Sequence, residues 1–242
     1  MTVIAHLSDP HLDGTVIRLE RLRAVITSIR SLPHVDVLVV TGDVADHGRG
    51  DEYAAFRREL PQHLPAIITT GNHDTSAAFE RHVGARNTQH DIGDLRIIGL
   101  DTLVEGHDEG VLDAETLAFA HDALATAPGR VLLAMHHPPV PVGHPLIDAT
   151  LLTNADALAK LISPAPAITG LLTGHVHTAY SNTFAGVPVL GAPGIASTLT
   201  ISEPGRISAD QTAPPGYMVH TINDGRMSTR FVALAISVPP NR

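Results

Sequence analysis

The sequence contains no cysteine and no tryptophan, and aromatic residues make up only 3% of its 242 residues. Without cysteine it forms no disulfide, no cysteine-based zinc ribbon and no iron–sulfur cluster, and it has no thiolate nucleophile. Any metal must therefore be held by imidazole, carboxylate, amide or water ligands. Because rings are scarce, the core must be built from Ala, Val, Leu and Ile, and ring stacking is not expected to dominate recognition.

Basic charge is also scarce, since Lys160 is the only lysine and the formal net charge is −9. Binding to DNA or RNA depends on neutralising phosphates with Lys and Arg, so no nucleic-acid polymer is expected as a partner and a nuclease is disfavoured. Histidine, by contrast, is abundant, with 16 residues, as many as Lys and Arg together. This surplus is the feature that needs an explanation.

No targeting or membrane-spanning segment is expected. The apolar segment 2–7 is too short for the core of a secretory signal. The uncharged stretch 161–202 is interrupted by prolines and glycines and contains His175 and His177, which a lipid-exposed helix would not tolerate. We therefore expect a cytoplasmic protein with no membrane partner.

Short β-branched apolar runs alternate with amphipathic patterns over the first 178 residues. We expect buried strands at 3–7, 35–40, 66–70, 95–100, 131–135 and 168–173. We expect helices at 16–30, with its arginines mostly facing water, and at 52–60, 114–126 and 153–162. Strands that alternate with helices are typical of an α/β domain with parallel strands.

After residue 178 the helical patterns stop. The pattern predicts strands at 179–184, 187–190, 217–222 and 227–236, with turns at Ala185-Gly186 and Asn223-Asp224-Gly225. We expect a single domain over residues 1–242, in which 202–216 is a long loop that is a lid, a partner contact or simply mobile.

Five polar groups follow five of the predicted strands. They are Asp9-Pro10-His11, Gly42-Asp43, Gly71-Asn72-His73-Asp74, His136-His137-Pro138-Pro139 and Gly174-His175-Val176-His177. Loops at the carboxyl ends of strands converge on one crevice of an open α/β sheet. Asp, Asn and His are ligands suited to Zn, Mn or Fe. Each group alone could be an ordinary hydrogen-bonded strand end, but together they indicate one metal site.

The order of these motifs resembles that of the calcineurin-like metallophosphoesterase superfamily. Residues 42–48 and 136–141 are similar to its branch of class III cyclic nucleotide phosphodiesterases and glycerophosphodiesterases. The motifs span 9–177, and the similarity continues to about residue 217. The resemblance implies a four-layer αββα sandwich, with two mixed β-sheets flanked by helices and a binuclear metal centre where the sheets meet.

The resemblance also implies the metal ligands. One ion would be held by Asp9, His11, Asp43 and His177, and the other by Asp43, Asn72, His136 and His175, so that Asp43 bridges them. The ions, Mn, Fe or Zn, would polarise a phosphoryl oxygen and lower the pKa of a bound water.

Several neighbours of the ligands have two interpretations. His73 is expected to stabilise the transition state or protonate the leaving group, with Asn72 as the second catalytic residue. Asp74 either orients His73 or caps a helix over 75–83. His137 either supports the ligands or packs under Pro138.

Other histidines are not assigned to the site. His47 and His144 are expected to be solvated in loops, and His6 to lie at the edge of the core. His220 matches no motif.

The function that the resemblance implies is a metal-dependent phosphodiesterase that hydrolyses cyclic nucleotides such as cAMP, or other small phosphodiesters, through a metal-bound hydroxide. A phosphomonoesterase or protein phosphatase would use the same centre, but such enzymes often clamp a dianion with Arg, and the motifs contain none. A non-catalytic scaffold would show degraded ligand positions, and none is degraded. The segment from Ser202 onward, or an apolar sheet edge, could form a homodimer contact.

Overall fold

The computed structural model describes residues 1–165, 167–200 and 206–235. Its helices are α1 (Val16–Arg30), α2 (Gly50–Glu59), α3 (Ser76–His82), α4 (Ala114–Ala125), α5 (Pro145–Asp148) and α6 (Ala155–Ile162). Its strands are β1 (Thr2–Leu7), β2 (Val37–Thr41), β3 (Ala66–Thr69), β4 (Thr88–Ile92), β5 (Leu95–Gly99), β6 (Arg130–Ala134), β7 (Ile168–Thr173), β8 (Tyr180–Phe184), β9 (Val187–Gly191), β10 (Thr198–Thr200), β11 (Ser208–Asp210), β12 (Gly216–Asn223) and β13 (Arg226–Ala233). In these ranges no helix has the length and apolar character needed to cross a membrane.

Two mixed β-sheets form the centre of the fold. The first has the order β13-β12-β1-β2-β3, in which β1, β2 and β3 are parallel and β12 and β13 are antiparallel additions. The second has the order β4-β5-β6-β7-β9-β8, with a parallel centre and an antiparallel strand at each edge. Both sheets therefore combine the parallel strands predicted for the first half of the chain with antiparallel strands.

Three apolar clusters divide the molecule into four layers. The first joins the five-stranded sheet to α1, α2 and α3. The second joins the six-stranded sheet to α4 and α6. The third, which includes Ile4, Val39, Ile97 and Leu132, lies between the two sheets. The predicted αββα sandwich is confirmed.

The predicted helices form where capping and apolar spacing agree. α1 begins after Thr15, whose side chain accepts a hydrogen bond from the Arg18 amide, and it buries Leu22 and Ile26 against the sheet. Asp113 caps α4 in the same way by accepting from Thr116 N at 2.7 Å. The arginines of α1 were expected mostly to face water, but Arg21 is buried.

Both predicted hairpin turns have the backbone conformation that tight turns require. Ala185 (φ 49°) and Gly186 (φ 80°) link β8 to β9, and Asp224 (φ 48°) and Gly225 (φ 76°) link β12 to β13. Positive φ at both central residues is the mark of a type I′ turn, whose twist matches that of the flanking strands.

The segment predicted as a loop over 202–216 contains regular structure. Ser208–Asp210 pairs with Thr198–Thr200 as a small antiparallel hairpin, so this part of the predicted loop is a strand. Residues 202–205 lie outside the described residues, as does residue 236 of the last predicted strand.

Two histidines form a buried pair within the five-stranded sheet. His6 Nδ1 lies 3.2 Å from His220 Nε2, and the outer ring nitrogens contact Thr41 Oγ1 at 2.9 Å and Thr229 Oγ1 at 2.8 Å. Both side chains are fully buried, so His6 lies inside the core and not at its edge. Burial lowers the pKa of His6 well below the usual range and lowers that of His220 to about 4.

This pair predicts a loss of stability in acid. Between pH 6.5 and 4 the unfolded chain protonates residue 220 but the folded chain does not, so stability falls as pH falls through this window. The unfolding free energy of both proteins is compared at pH 7.5 and pH 5. Its decrease over this range should be about 2 kcal/mol smaller in His220→Gln than in the wild type. Urea unfolding of both proteins in excess chelator measures this difference. The exposed His121→Gln serves as control, and parallel pH curves for wild type and His220→Gln would contradict the prediction.

Candidate metal centre

Five loops bring the predicted ligands to one place between the two sheets. Three of these loops follow β1, β2 and β3 of the first sheet, and two follow β6 and β7 of the second. Backbone hydrogen bonds join the loops, for example from His11 N to Asp43 O at 2.9 Å and from Gly174 N to His136 O at 3.0 Å. The carboxyl ends of the strands thus supply one site, as expected for an α/β sheet.

The first group of donor atoms comes from Asp9, His11, Asp43 and His177. His11 Nε2 lies 3.1 Å from His177 Nε2 and 3.2 Å from Asp43 Oδ2. His177 Nε2 lies 3.3 Å from Asp9 Oδ1. The four donor atoms all lie within 4.8 Å of one another. They are the four residues that the resemblance implies for one metal ion.

The second group comes from Asp43, Asn72, His136 and His175. His136 Nε2 lies 3.4 Å from Asp43 Oδ2, 3.0 Å from Asn72 Oδ1 and 3.3 Å from His175 Nδ1. Asn72 Oδ1 lies 3.1 Å from His175 Nδ1. Because Asp43 Oδ2 contacts both groups, it is the atom that would bridge two ions.

Hydrogen bonds to the far side of the rings fix which nitrogen carries the proton. His11 Nδ1 lies 2.8 Å from Asp46 Oδ1, His136 Nδ1 lies 2.7 Å from Thr41 O, and His177 Nδ1 lies 3.2 Å from Ser197 O. These oxygens only accept, so each neutral ring donates from Nδ1 and leaves a lone pair on Nε2. The lone pairs of His11 and His177 then meet at 3.1 Å, an arrangement that a cation stabilises.

The spacing of the donor atoms fits metal coordination. Ligand atoms about 2.1 Å from a metal lie about 3.0 Å apart in an octahedron and about 3.4 Å apart in a tetrahedron. The neighbouring atoms described above are separated by 3.0 to 3.4 Å. The residues present therefore fit divalent metal ions, both in chemical type and in spacing.

Five of the ligand residues have left-handed backbone conformations. Their φ angles are 53° for Asp9, 42° for His11, 48° for Asp43, 69° for His175 and 55° for His177. In the described part of the chain, the other non-glycine residues with positive φ are the two turn residues above. This conformation costs a non-glycine residue about 1–2 kcal/mol. Such backbone strain concentrates at functional sites because the surrounding structure holds it.

Two glycines allow the loops to approach each other closely. A Cβ atom on Gly42, whose φ is +84°, would lie 2.5 Å from His136 Nδ1. One on Gly71 would lie 2.3 Å from Asp43 Oδ1. Both distances are shorter than any packing allows, so these positions require glycine.

Asp43 and the histidines around it shift one another's pKa values. Burial alone would raise the pKa of Asp43, but attraction to His136 and His11 holds it well below its usual range. Burial opposes protonation of the two rings, yet Asp43 raises the pKa of His11 to about 10 and that of His136 to about 9. Desolvation, reinforced by the neighbouring His136, lowers the pKa of the half-buried His175 to about 3. Metal loading must therefore displace protons from His11 and His136.

Asp46 is a site residue that the sequence analysis did not assign. Its Oδ1 accepts from His11 Nδ1 and lies 3.6 Å from His73 Nδ1. Its backbone carbonyl accepts from His73 Nδ1 at 3.1 Å. Asp46 thus orients a predicted ligand and anchors the predicted catalytic histidine. Its position within the motif at 42–48 was the signal that could have found it.

Asp74 does neither of the things expected of it. Its carboxylate accepts hydrogen bonds from the amides of Gly71, Val44 and Ala45 at 2.9, 3.2 and 3.0 Å, so it ties the third loop to the second. The N-cap position of α3 is occupied by Thr75, whose side chain makes no capping hydrogen bond. Burial and the charge of Asp43 raise the pKa of Asp74 to about 6.

His137 packs behind two of the ligands. Its ring centroid lies 4.8 Å from those of both His136 and His175, and its nitrogens contact Thr102 Oγ1 at 2.7 Å and Asp108 O at 3.2 Å. Burial, reinforced by the neighbouring histidines, holds its pKa well below the usual range. His137 is therefore in ring contact with two of the predicted ligands.

Thr150 contacts one of the ligands, and two further histidines lie in loops. Thr150, for which the sequence offered no signal, donates to Ile147 O, so its hydroxyl oxygen accepts from His175 Nε2 at 2.9 Å. The expectation that His144 is solvated is wrong, because it is buried at the start of α5. His47 has an exposed side chain, as expected.

The contact between Asp46 and His11 predicts a role in metal affinity. Asp46→Ala removes the acceptor that orients His11, and loss of such a partner typically weakens metal binding by about 10–100-fold. Competition with a chromophoric chelator measures the affinity. Asp51→Ala, which removes an exposed carboxylate from α2, is the matched control and should have no effect. Equal affinities for Asp46→Ala and wild type would contradict the prediction.

Comparison with known proteins gives concordant matches. A model of the calcineurin-like phosphoesterase family matches residues 2–179. The 3′,5′-cyclic adenosine monophosphate phosphodiesterase CpdA of Pseudomonas aeruginosa is 31% identical, and the alignment covers 94% of this chain and 88% of that protein. The glycerophosphodiester phosphodiesterase GpdQ of Enterobacter lignolyticus is 28% identical, with 72% and 70% covered. A dimetal phosphatase structure from Danio rerio shares the fold, with a TM-score of 0.74, 14% identity and 96% of each chain covered.

Proposed function

The chain belongs to the calcineurin-like phosphoesterase family, and from this premise we propose that it is a two-metal phosphodiesterase acting on cyclic nucleotides such as cAMP or on other small phosphodiesters. One observation carries the proposal: Asp43 Oδ2 lies 3.2 Å from a nitrogen of the first donor group and 3.4 Å from a nitrogen of the second. Relatives named for cyclic nucleotides and for glycerophosphodiesters support the substrate range.

The proposed ligands divide as the two donor groups do. Asp9, His11 and His177 would hold one ion, Asn72, His136 and His175 the other, and Asp43 both. When bound, the two cations would supply Lewis acidity and a deprotonated water at neutral pH. Mn, Fe and Zn all suit these ligands.

The protein's own acid in the proposed reaction is His73. Its Nδ1 donates to Asp46 O at 3.1 Å, and its side chain is 43% exposed and lines the cavity above the ligands. Nε2 can therefore donate a proton only when both ring nitrogens are protonated, and the proposed acid is this imidazolium form. As a water-derived hydroxide bonds to phosphorus and the bond from phosphorus to the leaving oxygen breaks, the His73 imidazolium would protonate that oxygen from Nε2 and become neutral. The product is a phosphomonoester and an alcohol, which for a cyclic diester are parts of one molecule.

The backbone aligns this acid with the bridging carboxylate. The amide of His73 donates to Asp43 Oδ1 at 2.8 Å, and the rings of His73 and His11 meet edge to face with centroids 4.5 Å apart. A group held by two hydrogen bonds and a ring contact is positioned before substrate arrives, which is the condition for efficient proton transfer.

Arg18 is relevant to whether the site is suited to a phosphodiester or to a phosphomonoester substrate. Among the described residues that line the cavity it is the one Lys or Arg, and its Nε lies 3.7 Å from Asp13 Oδ2. The motifs themselves contain no Arg, but the fold brings this one to the cavity. A single guanidinium that is shared with a carboxylate is a weak clamp for a dianion, which favours the diester.

The remaining parts of the proposal concern the whole protein. We propose that residues 1–242 act as one cytoplasmic domain, with no nucleic-acid polymer as partner because of the net charge of −9. A homodimer remains part of this proposal, and sedimentation at several concentrations tests it.

Metal reconstitution with a substrate panel tests the function. Metal-free protein is loaded with Mn, Zn or Fe and assayed on cAMP, glycerophosphoethanolamine and p-nitrophenyl phosphate. We expect metal-dependent hydrolysis of at least one diester at about ten times the monoester rate or more. Faster hydrolysis of the monoester would favour the alternative that the protein is a phosphomonoesterase or protein phosphatase. No turnover with any metal would favour the alternative of a non-catalytic scaffold.

A further inference from the structure

The cavity that contains the metal ligands has an apolar side. Its volume is about 400 Å³, within the range of roughly 300–1,000 Å³ that small-molecule sites have. Besides the ligands, it is lined by Leu146 and Ile147 of α5, by Leu199 of β10 and by Ile207, which precedes β11. We call these four residues the aliphatic wall.

The wall leaves apolar surface in contact with solvent. Leu146 is 46% exposed and Ile207 is 37% exposed, values that few large apolar side chains of the described residues reach. An exposed apolar patch beside a polar site commonly marks the place where a ligand is covered. α5 also leads into Thr150, which contacts His175, so the wall adjoins the metal centre.

The hairpin part of the wall is fixed to α1 by Arg21. This buried guanidinium donates from Nε to Ile195 O at 2.6 Å, from Nη1 to Gln211 O at 3.0 Å and from Nη2 to Ala213 O at 2.8 Å. These carbonyls lie before and after the hairpin, so both of its ends are held. A wall that is fixed before binding loses little entropy when a ligand covers it.

The wall offers no hydrogen-bonding side chain to a substrate. Apart from Arg18 and Asp108, the polar side chains among the described lining residues are those of the metal site and its neighbours, such as Asp46, Thr150 and Ser197. Glycerol hydroxyls placed against Leu and Ile would lose their hydrogen bonds to water without gaining hydrogen bonds to the protein. The flat face of a nucleobase would instead bury apolar area there, and the described lining residues include no Phe or Tyr to stack on it.

We propose that the aliphatic wall is the binding subsite for a flat, weakly polar group of the diester, of which a nucleobase is the example. The chain would therefore prefer cyclic nucleotides to glycerophosphodiesters. This rests on the proposed function, because a diester held at the metal centre is what brings its organic group to the wall.

The test replaces the two most exposed wall residues together. Leu146→Ser/Ile207→Ser should raise KM for cAMP about tenfold, while kcat/KM for glycerophosphoethanolamine should change less than about twofold. Phe231→Ser, which alters a 51% exposed side chain on β13 outside the cavity, is the matched control and should change neither. Equal losses on both substrates, or a wild type that prefers the glycerophosphodiester, would overturn the proposal.

Binding without turnover separates this proposal from the proposed function. Calorimetry with metal-loaded protein and a poorly hydrolysed cyclic adenosine phosphorothioate should show about tenfold weaker binding to the double variant than to wild type or Phe231→Ser. Tight binding of the analogue with no hydrolysis of any diester would contradict the proposed function but not the proposed subsite. Equal affinity of the analogue for the wild type and the double variant would contradict the proposed subsite but not the proposed function.

Discussion

Asp43→Asn is expected to lower kcat/KM on bis(p-nitrophenyl) phosphate by at least about 10³-fold, since it removes several kcal/mol of charge stabilisation. Asp43 Oδ2 contacts a nitrogen of each donor group, at 3.2 Å and 3.4 Å. An amide in its place is neutral and binds two cations poorly. Asn also tolerates the positive φ of 48° at this position, so the backbone need not change.

The same variant should hold fewer metal ions. Elemental analysis after loading and desalting should fall from about two ions per chain to one or fewer. Asp94→Asn, which alters an exposed carboxylate outside the cavity, is the control and should match wild type in both assays. Asp43→Asn protein with near wild-type activity and two ions per chain would show that Asp43 is not the bridge.

His73→Ala should have the second largest effect, and its size should depend on the leaving group. If His73 protonates the leaving oxygen, kcat for cAMP should fall by about 10²–10⁴-fold. A p-nitrophenolate leaves without a proton, so hydrolysis of bis(p-nitrophenyl) phosphate should fall much less. Metal content should not change, because His73 contributes no atom to either donor group.

A matched control and a rescue make this prediction specific. His47→Ala removes another largely exposed histidine nearby and should leave both rates unchanged. Added imidazole should restore part of the cAMP rate of His73→Ala by replacing the missing acid. A uniform loss on both substrates would instead place His73 in transition-state binding and refute the assignment as a general acid.

The ligand residues could be predicted from the sequence because each lies directly after a strand of high apolar content. Asp9, Asp43 and His136 follow such runs, and a parallel sheet brings the ends of its strands together. The backbone strain could not be predicted. Positive φ at Asp9 or His175 results from loops that hold one another in place, which no local pattern encodes.

Other elements were missed because their pattern is weak. β4, with the sequence TQHDI, is an edge strand whose residues are partly or largely exposed, so it shows no apolar run. α5 and the β10–β11 hairpin are only four and three residues long per element and rely on tertiary contacts. Asp74 was misread because its partners, the amides of Gly71 and of the second loop, are set by the meeting of two loops.

The surplus of histidine has two explanations of different kinds. Five of the sixteen, His11, His73, His136, His175 and His177, lie in or beside the donor groups, with His137 packed behind them. His6 and His220, which the motifs left out, form a buried pair in the core of the first sheet. Counting histidines could not separate a metal site from a core contact, whereas their position at strand ends could.

The most direct test of the two-metal proposal is the rate of bis(p-nitrophenyl) phosphate hydrolysis measured against metal bound per chain. Metal-free protein is titrated with Mn²⁺, and bound metal and rate are determined at each point. We predict a rate that stays low at one equivalent and reaches its plateau at about two. A plateau at one equivalent, or full activity in metal-free protein, would contradict it.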